Sequence, residues 1–340
     1  MHPREDQIHV ALVTGGYTEE ASVSVRSAAF VAEHLSKNYQ VYTIQLTPES
    51  WYYQDADGSR YEIDRKDFSL DLPAGKLHFA VAFVMVHGSP GEDGLLQGYF
   101  DLIGMPYTSC GTLTSALTMD KHITKKVLEG IPDMYQAQSV CLQASEQAQG
   151  VDLIAEAGLK LPLFVKPNGG GSSIGMSKVK EKQEIQEALD KAFATLNAGA
   201  KQVLVEEFVE GREFSIGAFL KKGKVQVLPA TEVITSAEFF NFEAKYVPGM
   251  TQEITPADLQ ADQVSRIESI IQAIYKRLNC RGMVRIDFFL EKETDRFYFI
   301  EINTVPGQTG TSFIPQQVRA AGMTEAEFYS GLIQEILAES

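Results

Sequence analysis

The 340-residue chain is long enough for about two or three domains with a large buried core. Hydrophobic residues make up 44% of it and charged residues 22%, which is typical of globular proteins and argues against disordered, collagen-like or coiled-coil chains. With 30 basic and 45 acidic residues the formal net charge is −15, and no local basic patch offsets it. The charge therefore argues against nucleic acid and anionic membranes as partners.

The sequence lacks the patterns of export and membrane insertion. Its start, MHPREDQIHV, has no apolar signal core, and the longest apolar run, residues 79–86, is far shorter than the roughly 20 residues of a membrane-spanning helix. The cysteines Cys110, Cys141 and Cys280 are widely separated and form no CxxC motif. We therefore expect a reduced, cytoplasmic protein that does not contact a membrane.

The first third of the chain alternates strand and helix patterns. Gly15-Gly16 separates a β-prone run from an amphipathic stretch over residues 22–35, which predicts a strand followed by a helix. Residues 78–86 are almost continuously apolar, as in a strand buried on both faces, so we expect a parallel sheet flanked by helices. Asp57-Gly58 predicts a hairpin added to that sheet. The predicted strands are IHVALV, YQVYTIQL, HFAVAFVMV and the two arms of WYYQDADGSRYEI.

The remaining sequence predicts mixed α and β structure. One helix is expected over residues 112–129, ended by Pro132. Further helices are expected over 182–196, near 261–278 and at the C-terminus, with an irregular segment over 236–253. The predicted strands are LPLFVKP, IGMSKVK, KQVLVEEFV, REFSIGAFL, KVQVLPATEVI, MVRIDFFL and RFYFIEIN.

The last two of these strands carry the most informative polar pattern. If the hairpin turn is centred on Thr294, Asp287 lies opposite Glu301, and Arg285 lies opposite Asn303 on the same face. Opposed carboxylates repel each other unless a cation lies between them, and carboxylate and amide oxygens suit Mg²⁺. We therefore expect a magnesium–nucleotide site; scattered charges on a solvated face are the alternative. The other face would be an apolar layer of Val284, Ile286, Phe288, Leu290, Tyr298, Ile300 and Ile302.

Other polar segments are weaker signals when each is taken alone. The glycines, hydroxyls and Lys166 of KPNGGGSSIGMSKV can approach a phosphate, or the segment is only a flexible hairpin. Glu206 and Glu213 suit an adenine amino group and ribose hydroxyls, or are solvated acids at strand ends. Glu20 and His87 follow predicted strands at the edge where open α/β sheets bind ligands, although for His87 alone a hydrogen-bonded strand end is the more common role.

Together, six segments resemble the D-alanine:D-alanine ligase family of the ATP-grasp superfamily, in the order typical of that family. The resemblance implies an α/β and α+β fold of three domains. An N-terminal parallel α/β domain over residues 1–110 would precede a two-part ATP-grasp fold, with a central domain over 111–206 and a C-terminal domain over 207–340 that carries the metal and substrate site. The segments are GGYTEEASVS, HGSPGEDGLLQGYFDLIGMPYTSCG, TMDK, VKPNGGGSSIGMSKV, EAKY and EINTVPGQTGTS.

The resemblance also implies which residues bind the nucleotide and metal. Lysines would contact the ATP phosphates, Glu206 and nearby backbone groups the adenine, and Glu213 the ribose. Two Mg²⁺ ions are expected, with Mn²⁺ as a substitute. The nucleotide residues are Lys121, Lys166, Ser172, Glu206, Phe208, Val209, Glu213 and Lys245, and the metal ligands are Asp287, Glu301 and Asn303.

Five residues would bind the amino-acid substrates by the same resemblance. Glu20 would hold the ammonium group of the first D-alanine, with His87 beside that substrate. Ser312 would bind the carboxylate of the second D-alanine. Arg285 and the backbone N–H of Gly307 would stabilise the oxyanion of the tetrahedral intermediate, which makes them catalytic residues.

The expected irregular segment resembles a closing lid. Lys245 and Tyr246 lie in it, and Tyr246 would bond to Ser172 and Glu20 as part of the catalytic machinery, or would only anchor the loop. This tyrosine favours a dipeptide over a depsipeptide product. Gln308 stands beside the intermediate site where an apolar residue is commoner, so it leaves the choice of second substrate open.

The function implied is ATP-dependent ligation of two D-alanines through an acylphosphate, releasing ADP and phosphate, for peptidoglycan synthesis. A homodimer is expected from the family. The alternatives are a D-alanine:D-serine or D-alanine:D-lactate ligase, another ATP-dependent carboxylate–amine ligase, or an inactive nucleotide-binding protein. A Rossmann oxidoreductase is disfavoured because the GxGxxG fingerprint is absent.

Overall fold

The first sheet contains seven strands in the order β6-β5-β4-β3-β2-β1-β7. The computed structural model describes residues 8–169, 175–196, 202–235 and 251–339. Strand β1 pairs in parallel with β2 and β7, and the predicted hairpin continues the sheet as antiparallel strands β3 and β4. The elements are β1 (His9–Gly15), α1 (Ala21–Leu35), β2 (Gln40–Leu46), β3 (Trp51–Gln54), β4 (Arg60–Asp64), β5 (Ser69–Leu72), β6 (Gly75–Leu77) and β7 (Val81–Val84). The predicted parallel sheet and its added hairpin are confirmed.

The single helix predicted over residues 112–129 is two helices. They follow α2 (Leu95–Ile103) as α3 (Thr112–Met119) and α4 (Lys121–Leu128), and the short strand β8 (Met134–Tyr135) comes next. Asp120 breaks the helix because its backbone is extended (φ −94°, ψ 105°) and its side chain accepts a hydrogen bond from Ile123 N at 2.8 Å. The break makes Lys121 the first residue of a new helix.

A second, antiparallel sheet has the order β11-β10-β12-β9. It buries a separate apolar cluster under two helices. Its predicted strands are present, whereas β9 was not predicted. The elements are β9 (Ser139–Gln143), α5 (Gly150–Glu156), β10 (Leu163–Pro167), β11 (Ser177–Val179), α6 (Ile185–Ala194) and β12 (Gln202–Glu207), with 3₁₀ turns at Ala144–Gln149 and Lys182–Glu184.

The third sheet follows the order β16-β15-β13-β17-β18-β8, with β14 paired to β13. The predicted strand KVQVLPATEVI is divided in two around Pro229, which has no N–H to donate to a neighbouring strand. Strand β16 occupies the end of the segment expected to be irregular. The elements are β13 (Gly211–Lys221), β14 (Lys224–Val227), β15 (Thr231–Thr235), β16 (Thr251–Ile254), α7 (Ala261–Arg277), β17 (Met283–Glu291) and β18 (Phe297–Asn303).

Two C-terminal helices, α8 (Phe313–Ala320) and α9 (Glu325–Glu339), join the first and third sheets. Helix α9 packs against α1, β7 and β13, and its Phe328 ring lies 5.0 Å from that of Phe219. The largest apolar cluster accordingly contains strands of the first sheet together with residues of the third. No helix in the described ranges is long and apolar enough to cross a membrane.

The hairpin β17–β18 contains a β-bulge. Asp287 faces Glu301 and Arg285 faces Asn303 as predicted, but the register then shifts so that Phe288 pairs with Phe299. The extra residue, Ile300, turns toward the site face. The apolar layer therefore contains Phe297, Phe299 and Ile302, and the prediction that Tyr298 and Ile300 belong to it is wrong because both are only half-buried and line the cleft.

Candidate active site

A cleft of about 840 Å³ opens where the second and third sheets face the carboxyl end of the first. Every candidate residue within the described ranges lines it, although they come from distant parts of the chain. Ser172, Lys245 and Tyr246 lie outside the described residues. The candidates that line the cleft are Glu20, His87, Lys121, Lys166, Glu206, Phe208, Val209, Glu213, Arg285, Asp287, Glu301, Asn303, Gly307 and Ser312.

Glu206 ends a strand of the second sheet between two lysines. Its carboxylate contacts Lys166 through one oxygen and Lys125 Nζ, at 2.5 Å, through the other. Burial alone would raise the pKa of Glu206, but the charges and hydrogen bonds of Lys166 and Lys125 outweigh it and lower the pKa to about 2. Glu206 is therefore a fixed, ionised acceptor at the wall of the cleft.

Lys125 is a residue that the sequence reasoning missed. It is only 4% exposed, and its ammonium group also donates to Ala137 O at 2.8 Å and to Ser139 Oγ at 2.9 Å. These bonds fix Lys125 against Glu206, and Lys125 itself is not among the residues that line the cleft. The only signal in the sequence was its position four residues after Lys121, one helical turn along α4.

The start of the glycine-rich segment is tied to the N-terminus of α4. Asn168 accepts hydrogen bonds from Lys121 N through its backbone oxygen, at 3.2 Å, and from His122 N through Oδ1, at 2.8 Å. Lys121 Nζ reaches across the cleft to Glu301 Oε2 at 3.4 Å. Lysines from two different elements thus converge on the cleft.

The predicted metal ligands share one face of the third sheet. Asp287 accepts hydrogen bonds from Ser215 Oγ at 2.7 Å and from Arg285 Nη2 at 2.8 Å, while Asn303 Oδ1 accepts from Val305 N at 2.9 Å. Across the described ranges, no three His, Cys, Asp or Glu side chains cluster as a metal site; the predicted set contains only two such residues beside its amide. Its oxygen donors fit Mg²⁺ chemically.

Arg285 is held at the centre of the cleft by acidic neighbours. Burial disfavours its charge, but Asp287, Glu301 and Glu92 together raise the pKa of Arg285 above its ordinary value. A permanently charged guanidinium therefore lines the cleft.

His87 lies in a buried hydrogen-bond chain whose direction can be assigned. Nδ1 lies 2.8 Å from Val305 O, and since a carbonyl only accepts, Nδ1 carries the proton. Nε2 then accepts from Ser27 Oγ at 3.0 Å, and Ser27 Oγ accepts from Gln308 N at 3.1 Å. Burial lowers the pKa of His87, which favours this neutral form. Both ring nitrogens therefore bind protein groups.

The loop that follows β18 supplies Gly307 and Ser312. Ser312 lies at the N-terminus of α8, and its Oγ accepts a hydrogen bond from Thr309 N at 2.9 Å. A hydroxyl at a helix N-terminus suits a carboxylate ligand, because the helix dipole adds positive potential there.

Glu92 is a second residue that was missed. Its Oε2 accepts a hydrogen bond from Gly88 N at 2.6 Å at the wall of the cleft. Burial, followed by the charge of Glu20, raises the pKa of Glu92 to about 8. The motif HGSPGEDG contained this residue, but a sequence does not reveal whether an acid is buried.

The second and third sheets, antiparallel apart from the short pair β18–β8, enclose a cleft lined by lysines and opposed carboxylates. This arrangement defines an ATP-grasp fold. Family models described as the N-terminus and the C-terminus of D-ala D-ala ligase match residues 9–110 and 130–338. The chain therefore belongs to the D-alanine–D-alanine ligase family.

Relatives and solved structures agree with this family. A D-alanine–D-alanine ligase of Bacteroides fragilis is 40% identical over 327 residues, 96% of this chain and 98% of the relative, and one of Porphyromonas gingivalis is 40% identical over 333 residues, 97% and 98%. A D-Ala:D-Ser ligase of Enterococcus faecalis superimposes with a TM-score of 0.84 at 30% identity, covering 97% of this chain and 99% of that one. D-alanyl-alanine synthetase A of Vibrio cholerae gives 0.85 at 26% identity, covering 98% and 100%.

Proposed function

We propose that this protein ligates two D-alanine molecules to D-alanyl-D-alanine, with conversion of ATP to ADP and phosphate, and so supplies peptidoglycan synthesis. The observation that carries the proposal is the convergence of all the described candidate residues on one cleft. Relatives about 40% identical over nearly the whole chain bear the same activity in their names.

ATP would lie between the second and third sheets. Glu206 would accept the adenine amino group, beside the backbone of Phe208 and Val209, and Glu213 would bind the ribose. Lys166 and Lys121 would bind phosphate; they pair with Glu206 and Glu301 in the structure, so phosphate binding would replace one anionic partner by another. Ser172 and Lys245 complete the proposed nucleotide set.

Asp287, Glu301 and Asn303 would hold the divalent metal, for which we propose two Mg²⁺ ions, with Mn²⁺ as a substitute. When bound, the metal would supply neutralisation of phosphate charge. The amide oxygen of Asn303 already accepts one hydrogen bond from Val305 N, which orients it beside Glu301 on the strand.

The amino acids would bind at the substrate end of the cleft. Glu20 would hold the ammonium group of the first D-alanine, beside His87. The carboxylate of this D-alanine would attack the γ-phosphorus of ATP, which forms an acylphosphate and releases ADP. Ser312 would hold the carboxylate of the second D-alanine, whose neutral amine attacks the acyl carbon. Arg285 and the Gly307 N–H would stabilise the resulting oxyanion, and its collapse expels phosphate.

Tyr246 would close the cleft over the acylphosphate with Ser172 and Glu20, because water would otherwise hydrolyse this intermediate. The same tyrosine favours an amine over D-lactate as the second substrate. D-serine is the second candidate, since a similar solved structure is a D-Ala:D-Ser ligase. The relatives that are 40% identical favour D-alanine.

Phosphate release from Mg-ATP tests the proposal. Purified protein would receive D-alanine alone, D-alanine with D-serine or D-lactate, or L-alanine, and the products would be identified by mass. We expect release that depends on D-alanine, with the dipeptide as main product. No release with any amino acid despite ATP binding would contradict the activity, and a mainly mixed product would contradict the specificity.

A homodimer in the cytoplasm is also proposed, on the resemblance to the family. Light scattering of the purified protein would give the mass of one or two chains of 37.5 kDa and so decide the oligomeric state.

A further inference from the structure

Gln308 is fully buried, with an exposed fraction of 0%. Its position beside the intermediate site was predicted, but its side chain points into the core and does not line the cleft, because the core offers partners for both of its amide atoms. Nε2 donates to Pro306 O at 3.1 Å, and Oε1 accepts from Tyr329 OH at 2.8 Å. Tyr329, on α9, is also 0% exposed.

The hydrogen bond to Pro306 O orients a neighbouring group. This oxygen belongs to the same peptide unit as the Gly307 N–H. The Pro306–Gly307 peptide bond is not among the cis peptide bonds of the described residues. In a planar trans peptide the N–H points opposite to the C=O. Holding the oxygen toward the core therefore directs the Gly307 N–H away from Gln308, and Gly307 lines the cleft.

The flanking groups of the loop are fixed too. Val305 O accepts from His87 Nδ1 at 2.8 Å, and Gln308 N donates to Ser27 Oγ at 3.1 Å. Among the described residues no hydrogen bond engages the Gly307 N–H itself. Three hydrogen bonds thus hold the loop, at Val305 O, Pro306 O and Gln308 N, while the Gly307 N–H between them is available to a ligand.

We propose that Gln308 is a positioning residue for the reaction: its side-chain amide fixes the Pro306–Gly307 peptide so that the Gly307 N–H is aimed at the developing oxyanion. This inference rests on the proposed function. A donor in such a site stabilises the transition state only when its direction is fixed before the reaction. The substrates bind in their ground states without this donor. Loss of the Gln308 bond should therefore lower turnover more than it weakens substrate binding.

Methionine at position 308 tests the proposal because it has a similar length and no hydrogen bond to offer. Since Gln308→Met leaves Tyr329 OH buried without a partner, the substitution is made together with Tyr329→Phe. Tyr329→Phe alone is the matched control, as it keeps the bond between Gln308 Nε2 and Pro306 O. All three proteins are compared for kcat, KM for ATP and thermal stability.

We expect the control to keep kcat within about twofold of wild type and the double variant to lose about tenfold in kcat, with KM for ATP unchanged. Affinity for a phosphinate analogue of the dipeptide, whose tetrahedral anion stands in for the intermediate, should fall by the same factor. If the double variant does not fold, Gln308→Leu together with Tyr329→Phe is used instead, because leucine also removes the donor to Pro306 O; the same selective fall in kcat is expected there.

Equal kcat in the double variant and the control would overturn the inference. Parallel losses of kcat, ATP affinity and stability would also overturn it, because they would indicate that Gln308 contributes only to core packing. For Gln308→Leu with Tyr329→Phe, a kcat equal to that of the control would also overturn it. Wild-type protein that makes no dipeptide would overturn the proposed function and this inference with it. Dipeptide formation by wild type alongside an unaffected double variant would overturn the inference only.

Discussion

A buried carboxylate loses its charge unless cations and hydrogen-bond donors surround it, and Glu206 keeps its charge because two lysines contact it. The lysines differ in kind. Lys166 lines the cleft and is available to a phosphate, whereas Lys125 is enclosed by Ala137 and Ser139. When a nucleotide takes Lys166, Lys125 would keep Glu206 ionised.

Lys125→Met should weaken ATP binding by about tenfold and lower the free energy of unfolding by about 3 kcal/mol, because Glu206 loses its enclosed partner. Calorimetric titration with ATP and chemical denaturation measure the two effects. The matched control is Lys126→Met, whose side chain is 60% exposed and pairs with the exposed Glu129. That variant should remain within about 1 kcal/mol of wild type. Equal behaviour of the two variants would disprove the role of Lys125.

Glu92 should make stability depend on pH. Its pKa is raised from 4.5 to about 8 in the folded chain, so the folded state holds a proton that the unfolded state releases. The contribution of Glu92 to stability is therefore complete below pH 4.5 and is lost as the pH rises through about 8. Glu92→Gln should remove this loss, which thermal denaturation across that range would measure.

The matched control for Glu92 is Glu129→Gln, an exposed acid whose partner is also exposed. Its pH profile should follow that of wild type. A Glu92→Gln profile that is parallel to wild type would mean that Glu92 titrates at its ordinary pKa.

Within the hairpin β17–β18, the bulge decides which residues are in the core. Phe299 and Ile300 both line the cleft, but Phe299 is 4% exposed whereas Ile300 is half-buried. We expect Phe299→Ala to cost about 3 to 5 kcal/mol and Ile300→Ala about 1 kcal/mol. Ile300→Ala should instead weaken ATP binding. Chemical denaturation of the two variants compares the costs, and a larger loss for Ile300→Ala would mean that the hairpin has no bulge.

The same hairpin illustrates what its sequence could predict. Period-two alternation and a polar turn were enough to place Asp287 opposite Glu301. The turn is centred between Glu293 and Thr294, half a residue from the predicted centre. The bulge shifts the register by one residue, so that Asp287 still pairs with Glu301. Because residues 297–302 are apolar at nearly every position apart from Glu301, either register satisfies the pattern. The bulge therefore has no signature in the sequence.

The sequence pattern also did not predict the helix break at Asp120 or the burial of two charged residues. Asp120 fits the interior of a helix by periodicity, and only its extended backbone reveals that it begins a new one. Lys125 and Glu92 look like ordinary surface residues, because charge in a sequence indicates exposure and their burial depends on elements distant in the chain. The hairpin pattern and the family resemblance, by contrast, supplied candidates that all line the cleft wherever they lie within the described residues.

Across the whole molecule, the cleft is assembled from three sheets that are far apart in sequence. The C-terminal helix α9 joins the first and third sheets through a shared apolar core, and the chain of His87, Ser27 and Gln308 joins them through hydrogen bonds. Although the formal net charge is −15, Lys121, Lys166 and Arg285 line the cleft together. Among the described residues the same lining holds more acidic than basic side chains, so an anionic nucleotide would depend on direct contacts with these three cations and on a bound divalent cation.

Transfer of ¹⁸O tests most directly whether this cleft ligates D-alanine through an acylphosphate. D-Alanine labelled with ¹⁸O in its carboxylate would be incubated with Mg-ATP and the protein, and the released phosphate analysed by mass. If the carboxylate attacks the γ-phosphorus, each phosphate carries one labelled oxygen, and ADP and D-alanyl-D-alanine are the other products. Unlabelled phosphate, or label in AMP, would contradict an acylphosphate formed at the γ-phosphorus.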